Sequence, residues 1–158
     1  MTKRVLLVCT GNICRSPLAA ALLTKALQDR DLTDMEVSSA GTGAWDGAPA
    51  SEGAYLVALE RGLDLSSHRA RLLTRELVEE SDLILTMARH HRARVDELGG
   101  DGRVFVLGEF AGRSGDAEVS DPFGGDLEVY RETCAELDAL ITAVVERLAR
   151  EAAGGSPR

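Results

Sequence analysis

Apolar and polar residues alternate between two periods along this chain, and the alternation marks its elements. Val5-Leu6-Leu7-Val8 is a continuous apolar run of the kind buried on both faces of a parallel sheet, and it predicts a strand over Arg4–Val8 ending at Cys9. A short polar loop follows. Leu18, Leu22, Leu23, Ala26 and Leu27 then fall on one helical face, so a helix is expected from Arg15 or Ser16 to about Asp29, with Pro17 in its first turn. Asp31–Asp34 reads as a turn and Met35–Ala40 as a second strand, broken by Gly41-Thr42-Gly43. Ala50–Arg61 has helical spacing and is closed by Gly62. After an irregular link over Leu63–Ala70, Thr74 caps a short helix carrying Leu77 and Val78. Leu83–Met87 is a third apolar strand. Arg89–Leu98 is a charged surface helix, on which His90 and His91 are expected to be solvated. Val104–Leu107 is a fourth strand, Gly108–Gly125 a long acidic loop, and Asp126 to about Glu151 a final helix. That helix carries an apolar stripe from Leu127 and Tyr130 to Leu148, with Cys134 on it.

Strands that alternate with helices predict a single-domain, three-layer α/β fold: a four-stranded parallel sheet with helices on both faces. One domain is expected over residues 1–151 and a flexible tail over 152–158. Ligands bind such sheets at the carboxyl ends of their strands. Here those ends are Cys9, Gly41, Met87 and the loop after Leu107.

Composition narrows the partners. The chain has 158 residues and a net charge of -8, which argues against nucleic acid and anionic membrane surfaces. An anionic ligand must therefore be held by local positive potential. No apolar stretch approaches the ~20 residues of a membrane span, and the first apolar run is too short for a signal peptide. Three cysteines, an odd count, fit a reducing compartment, so a cytoplasmic location is expected.

The candidate chemistry sits between the first strand and first helix. Five residues, Thr10-Gly11-Asn12-Ile13-Cys14, separate Cys9 from Arg15, and Ser16-Pro17 open the helix. Loop amides and first-turn N–H groups converge on one point there and form an anion cradle. Gly11 allows a positive φ or a close backbone approach. Arg15 can fork onto two phosphate oxygens, and the same positive potential favours the Cys9 thiolate as a nucleophile. Attack on phosphorus also needs a proton donor for the leaving group. Asp121, in Asp121-Pro122-Phe123-Gly124-Gly125, lies in the long loop on the same side of the sheet. From spacing alone it serves equally as a turn aspartate. A nucleotide P-loop would need Gly-x4-Gly-Lys-Ser/Thr, which is not present, and a zinc site from Cys9, Cys14 and His68 lacks a fourth ligand. An inactive phosphate-binding or redox-sensing module is the non-enzyme alternative.

The chain resembles the low molecular weight protein tyrosine phosphatases. The resemblance rests on Cys9-Thr10-Gly11-Asn12-Ile13-Cys14-Arg15-Ser16-Pro17 and the late Asp121-Pro122. Ser39-Ala40-Gly41-Thr42, His68-Arg69-Ala70-Arg71 and Asp82-Leu83-Ile84-Leu85-Thr86-Met87 add to it. It implies a flavodoxin-like, phosphotyrosine phosphatase I-like fold and a phosphocysteine intermediate on Cys9. Arg15 would bind phosphate, and Asp121 would act as general acid and then base. Asn12, Ser16, Ser39 and His68 would hold the loop in shape; without the family, His68 reads as an exposed loop histidine. Cys14 would be a redox partner for Cys9, or would simply pack beneath the loop. The expected partners are a phosphorylated protein substrate and inorganic phosphate or other oxyanion inhibitors. No cofactor or metal, no nucleic acid and no membrane are expected, and the protein is expected to be a monomer.

Two substrates stay open. Ile13, Trp45 and Phe123 would form the substrate rim, and Ile13 and Trp45 favour the flat ring of phosphotyrosine. Protein arginine phosphatases of the same family resemble the chain in Asp121-Pro122-Phe123-Gly124-Gly125, but they carry Thr where Ile13 stands. Ile13 carries more weight because it would meet the leaving group directly.

Overall fold

The apolar run near the N-terminus becomes the centre of a sheet. In the computed structural model, which describes residues 2–154, β1 (Lys3–Cys9) is paired on both edges. β2 (Met35–Gly41) lies on one side and β3 (Leu83–Thr86) on the other, with β4 (Val104–Val106) beyond β3. All pairs are parallel, in the order β2-β1-β3-β4. The two-residue period of a strand divides the side chains between two cores. Val5, Leu7, Leu83 and Leu85 face one cluster; Leu6, Val8, Ile84 and Val104 face the other.

Helices cover both faces, giving the expected three layers. Against the first face pack α1 (Arg15–Asp29), α2 (Glu52–Glu60) and a long C-terminal helix that supplies Leu137, Ile141 and Val144. Against the second pack α3 (Arg75–Glu80) through Val78 and α4 (Arg89–Glu97) through Val95. The chain runs from β1 to β2 on one side, then crosses to β3 on the other. The loop after β1 therefore opens at the point where the strand order reverses, which is where open α/β sheets bind ligands.

Several boundaries differ from expectation for local reasons. α2 starts two residues late because Ser51 is its cap: the Ser51 hydroxyl accepts from the Ala54 N–H. The fourth strand stops at Val106, and the long loop does not begin at Gly108. Instead Leu107–Phe110 forms a short helix, α5, which buries Leu107 and Phe110. The last helix, α6 (Leu127–Gly154), is capped by Asp126, whose carboxylate accepts from the Val129 N–H. It runs past the expected end at Glu151, so residues 152–154 of the expected tail are helical. Residues 155–158 lie outside the described residues. No helix among the described residues is long and apolar enough to cross a membrane.

Gly41 ends β2 directly under the loop that follows β1. A Cβ there would stand 2.3 Å from the Thr10 carbonyl oxygen and 2.9 Å from the Asn12 nitrogen. Gly41→Ala should lower stability by about 1–3 kcal/mol in urea unfolding. It should also weaken phosphate binding, because the backbone that must yield is the loop itself. Unchanged stability and affinity together would refute that close packing.

Candidate active site

The loop is shaped by one asparagine. Asn12 is fully buried and adopts φ +57, so it, not Gly11, supplies the left-handed turn. A Cβ at Gly11 would meet only Ile13, at an ordinary 3.5 Å. Asn12 uses both ends of its side chain. Its Oδ1 accepts from the Arg71 backbone N–H at 3.0 Å. Its Nδ2 donates to Ser16 Oγ at 2.8 Å and to Ser39 Oγ at 2.9 Å. Its own carbonyl accepts from His68 Nε2 at 2.7 Å.

These bonds have a direction. A backbone N–H can only donate, so the Arg71 contact fixes which end of the amide is oxygen. The other end must donate to Ser16. The Ser16 hydroxyl proton is then free for Cys9, whose Sγ lies 2.9 Å from Ser16 Oγ. A donor is thus aimed at the sulfur, the arrangement that stabilises a thiolate. His68 Nε2 must likewise carry a proton, because a carbonyl only accepts; burial holds the His68 pKa below its ordinary value.

Cys9, Thr10, Gly11, Ile13, Cys14, Arg15, Asp121 and Phe123 surround a cavity of about 230 Å³. No side chain caps the N-terminus of α1, and the N–H groups of Gly11 to Ser16 donate to no oxygen acceptor among the described residues. Those donors are what a tetrahedral oxyanion needs. Arg15 is buried beside them. One of its terminal nitrogens donates to the Val119 carbonyl at 2.8 Å, the other is 3.8 Å from the Asp121 carboxylate, and its Nε has no protein partner. Asp121 is half exposed, and its other oxygen accepts from the Phe123 N–H at 3.1 Å. A larger groove of about 800 Å³ lies behind the loop along β2 and shares Ser39 and His68, but it contains neither Cys9 nor Arg15.

Most residues singled out in the sequence meet here, but Trp45 does not. It is 86% exposed and does not line the cavity. Asp46 accepts from the Leu72 N–H and Gly47 donates to the Ala70 carbonyl, which ties this loop to the 70–72 segment and leaves Trp45 in solvent. Cys14 is buried with its sulfur 3.2 Å from Ser51 Oγ and 3.4 Å from the Tyr130 hydroxyl. Burial pushes the Cys14 thiol pKa up, and the Tyr130 hydroxyl is pushed up to about 12, mainly by burial. Cys134 is a buried core residue of α6.

His91 is the clear departure from expectation. It is fully buried rather than solvated, and its Nε2 lies 2.8 Å from Thr10 Oγ1 in the loop. The sequence did hold a signal. His91 stands four residues before Val95, on the one face of α4 that is buried. His90, its neighbour, is exposed.

Comparison with known proteins places this geometry in a family. Residues 4–153 match the family described as low molecular weight phosphotyrosine protein phosphatase. A protein-arginine-phosphatase of Geobacillus stearothermophilus is 39% identical over 96% of this chain and 99% of its own length. A probable low molecular weight protein-tyrosine-phosphatase of Ralstonia solanacearum is 38% identical over 94% and 97%. The crystal structure of a low molecular weight protein tyrosine phosphatase from T. tengcongensis superposes with a TM-score of 0.85 at 40% identity, covering 92% of this chain and 99% of that one.

Burial lowers the His91 pKa to about 3. Unfolded, the imidazole titrates near 6.5. Between these values the unfolded chain holds a proton that the folded chain does not. His91 therefore contributes a loss of stability as pH falls from about 6.5 towards 3, with a limiting slope of about 1.4 kcal/mol per pH unit. His91→Gln should flatten the acid limb of stability against pH in urea titrations. An unaltered limb would mean that His91 is not buried in its neutral form.

Proposed function

The chain belongs to the low molecular weight phosphotyrosine protein phosphatase family, and on that premise we propose that it hydrolyses phosphotyrosine in proteins through a phosphocysteine intermediate. The observation that carries this reading is the directed hydrogen-bond chain from Arg71 N–H through Asn12 and Ser16 to Cys9, which ends beside a buried arginine in one small cavity.

In the first step the Cys9 thiolate attacks phosphorus. An S–P bond forms, the P–O bond to the leaving group breaks, and Asp121 gives its proton to the departing oxygen. Arg15 and the loop N–H groups hold the equatorial phosphoryl oxygens, where charge sits in the transition state. In the second step Asp121 takes a proton from water as the water attacks phosphorus. The P–S bond breaks, and the Ser16 hydroxyl donates to the returning thiolate. The nucleophile of the first step, the phosphate-holding donors and the proton carrier are Cys9, Arg15 with the loop N–H groups, and Asp121; water is the nucleophile of the second.

Phosphoarginine is the second reading, favoured by the relative from Geobacillus stearothermophilus, which is named for that activity. Ile13 separates the two. An apolar Ile13 on the cavity wall suits a flat aromatic leaving group and offers no hydrogen bond to a guanidinium.

Cys9→Ser should abolish turnover of an aryl phosphate, and near-full activity would remove Cys9 as the nucleophile. Phosphotyrosine and phosphoarginine peptides assayed side by side should show higher kcat/KM for phosphotyrosine. Ile13→Thr should shift the ratio towards phosphoarginine by about tenfold, the scale of one pocket contact. A wild-type preference for phosphoarginine would replace the tyrosine reading with the second one.

A further inference from the structure

Asp121 lies on a long irregular segment between α5 and α6, and a proton donor on such a segment must be fixed by something. Working back from Asp121, the fastenings are few. Arg15 donates to the Val119 carbonyl at 2.8 Å, and Val119 N–H donates to the Met87 carbonyl at 2.9 Å, at the end of β3. One residue earlier, Glu118 reaches the first turn of α4. Its Oε2 accepts from the Arg89 backbone N–H at 2.8 Å, and the same oxygen stands 3.7 Å from the Arg89 guanidinium. Beyond Asp121, the hydrogen bonds of the turn at residues 121–125 among the described residues are its own, Phe123 N–H to Asp121 and Gly125 N–H to the Pro122 carbonyl, and the Asp121 carboxylate also stands 3.8 Å from Arg15.

The contact with α4 fills a real vacancy in that helix. Its cap residue is Ala88, which has no side chain to accept the first N–H groups. A carboxylate from a distant segment performs the task, and it does so at the positive end of the helix, where a negative charge is favoured. The same turn of α4 carries His91, which touches Thr10 of the phosphate loop. The first turn of α4 therefore holds the phosphate loop on one side and the Asp121 segment on the other.

We infer that Glu118 is a positioning residue for Asp121: by capping α4 it fixes the proton donor over the phosphate site. This rests on the reading of Asp121 as general acid. Nothing in the local sequence around Glu118 distinguishes it from the other acidic residues of the segment; only the folded contact does.

The test uses the leaving group as its probe, because protonation matters more as the leaving oxygen becomes more basic. Wild type, Glu118→Ala, Glu118→Gln and Asp121→Asn are compared on a series of aryl phosphates, from p-nitrophenyl to phenyl phosphate, with kcat/KM and the inhibition constant for orthovanadate measured for each. Asp121→Asn should lose about a hundredfold or more on phenyl phosphate and much less on p-nitrophenyl phosphate, the scale of a lost general acid. Glu118→Ala should show the same tilt at about tenfold on phenyl phosphate, with vanadate inhibition unchanged. Glu118→Gln keeps an oxygen for the Arg89 N–H and should recover most of the loss. If Glu118→Ala does not fold, Glu118→Asp, one methylene too short to keep the cap, takes its place with the same expected tilt. A flat loss across all leaving groups, or no loss, in the folded Glu118 variant overturns the inference while Asp121→Asn is tilted. No tilt in Asp121→Asn overturns the general-acid reading itself.

Discussion

The orientation of a single side-chain amide governs this site. Arg71 presents a backbone N–H that can only donate, and this settles which end of Asn12 is oxygen. From there the polarity runs without choice to Ser16 and on to the Cys9 sulfur. Aspartate at this position would offer no donor, and alanine would leave the part-buried Arg71 N–H and Ser39 and the buried Ser16 short of a partner, an unmade bond costing about 1–3 kcal/mol where burial is complete, as at Ser16. The left-handed backbone of Asn12 adds a second requirement that asparagine meets better than most residues. One residue thus sets the shape of the loop and the direction of its hydrogen bonds.

The sheet makes this possible by geometry. β1 is buried between β2 and β3, so the loop it delivers has a fixed starting point. β2 brings Ser39 and Gly41 alongside; the segment after α2 brings His68 and Arg71; β3 hands the chain to α4 and His91. The buried Arg15 guanidinium is held by the Val119 carbonyl at 2.8 Å and faces the Asp121 carboxylate at 3.8 Å, while its Nε has no protein partner among the described residues and stays available to an anionic substrate. In a chain of net charge -8, that local arrangement decides where an oxyanion can be held.

How much of this was legible in the sequence depends on how local each feature is. The Cys9–Pro17 stretch is contiguous, so its strand, loop and helix start can be read from spacing and turn chemistry. Three of the four strands follow from apolar runs for the same reason, while β2, Met35–Gly41, carries Glu36, Ser38 and Ser39 and is marked more by the glycines that end it. Asp121 is less legible, since an Asp-Pro in a loop fits a turn as well as an acid, and only the family pattern favours the acid. His91 is hard to read because charged residues surround it on the helix, and only its spacing to Val95 marks the inner face. Glu118 and the Tyr130–Cys14 contact carry no local signal; they exist only because distant segments meet. The short helix at Leu107–Phe110 was hidden by the glycines and acids that follow it.

The reach of these contacts along the chain has a consequence for order of assembly. Asn12 is held from residues 39, 68 and 71, Thr10 from residue 91, and Arg15 from residue 119. Closing such long intervals costs entropy that is recovered only when the later segments dock. The N-terminal stretch, made first, carries the cysteine and the arginine but not the means to orient them. Until the chain has been synthesised past Val119 and folded back, Cys9 is an ordinary thiol on an unshaped loop, and activity is a property of the completed fold.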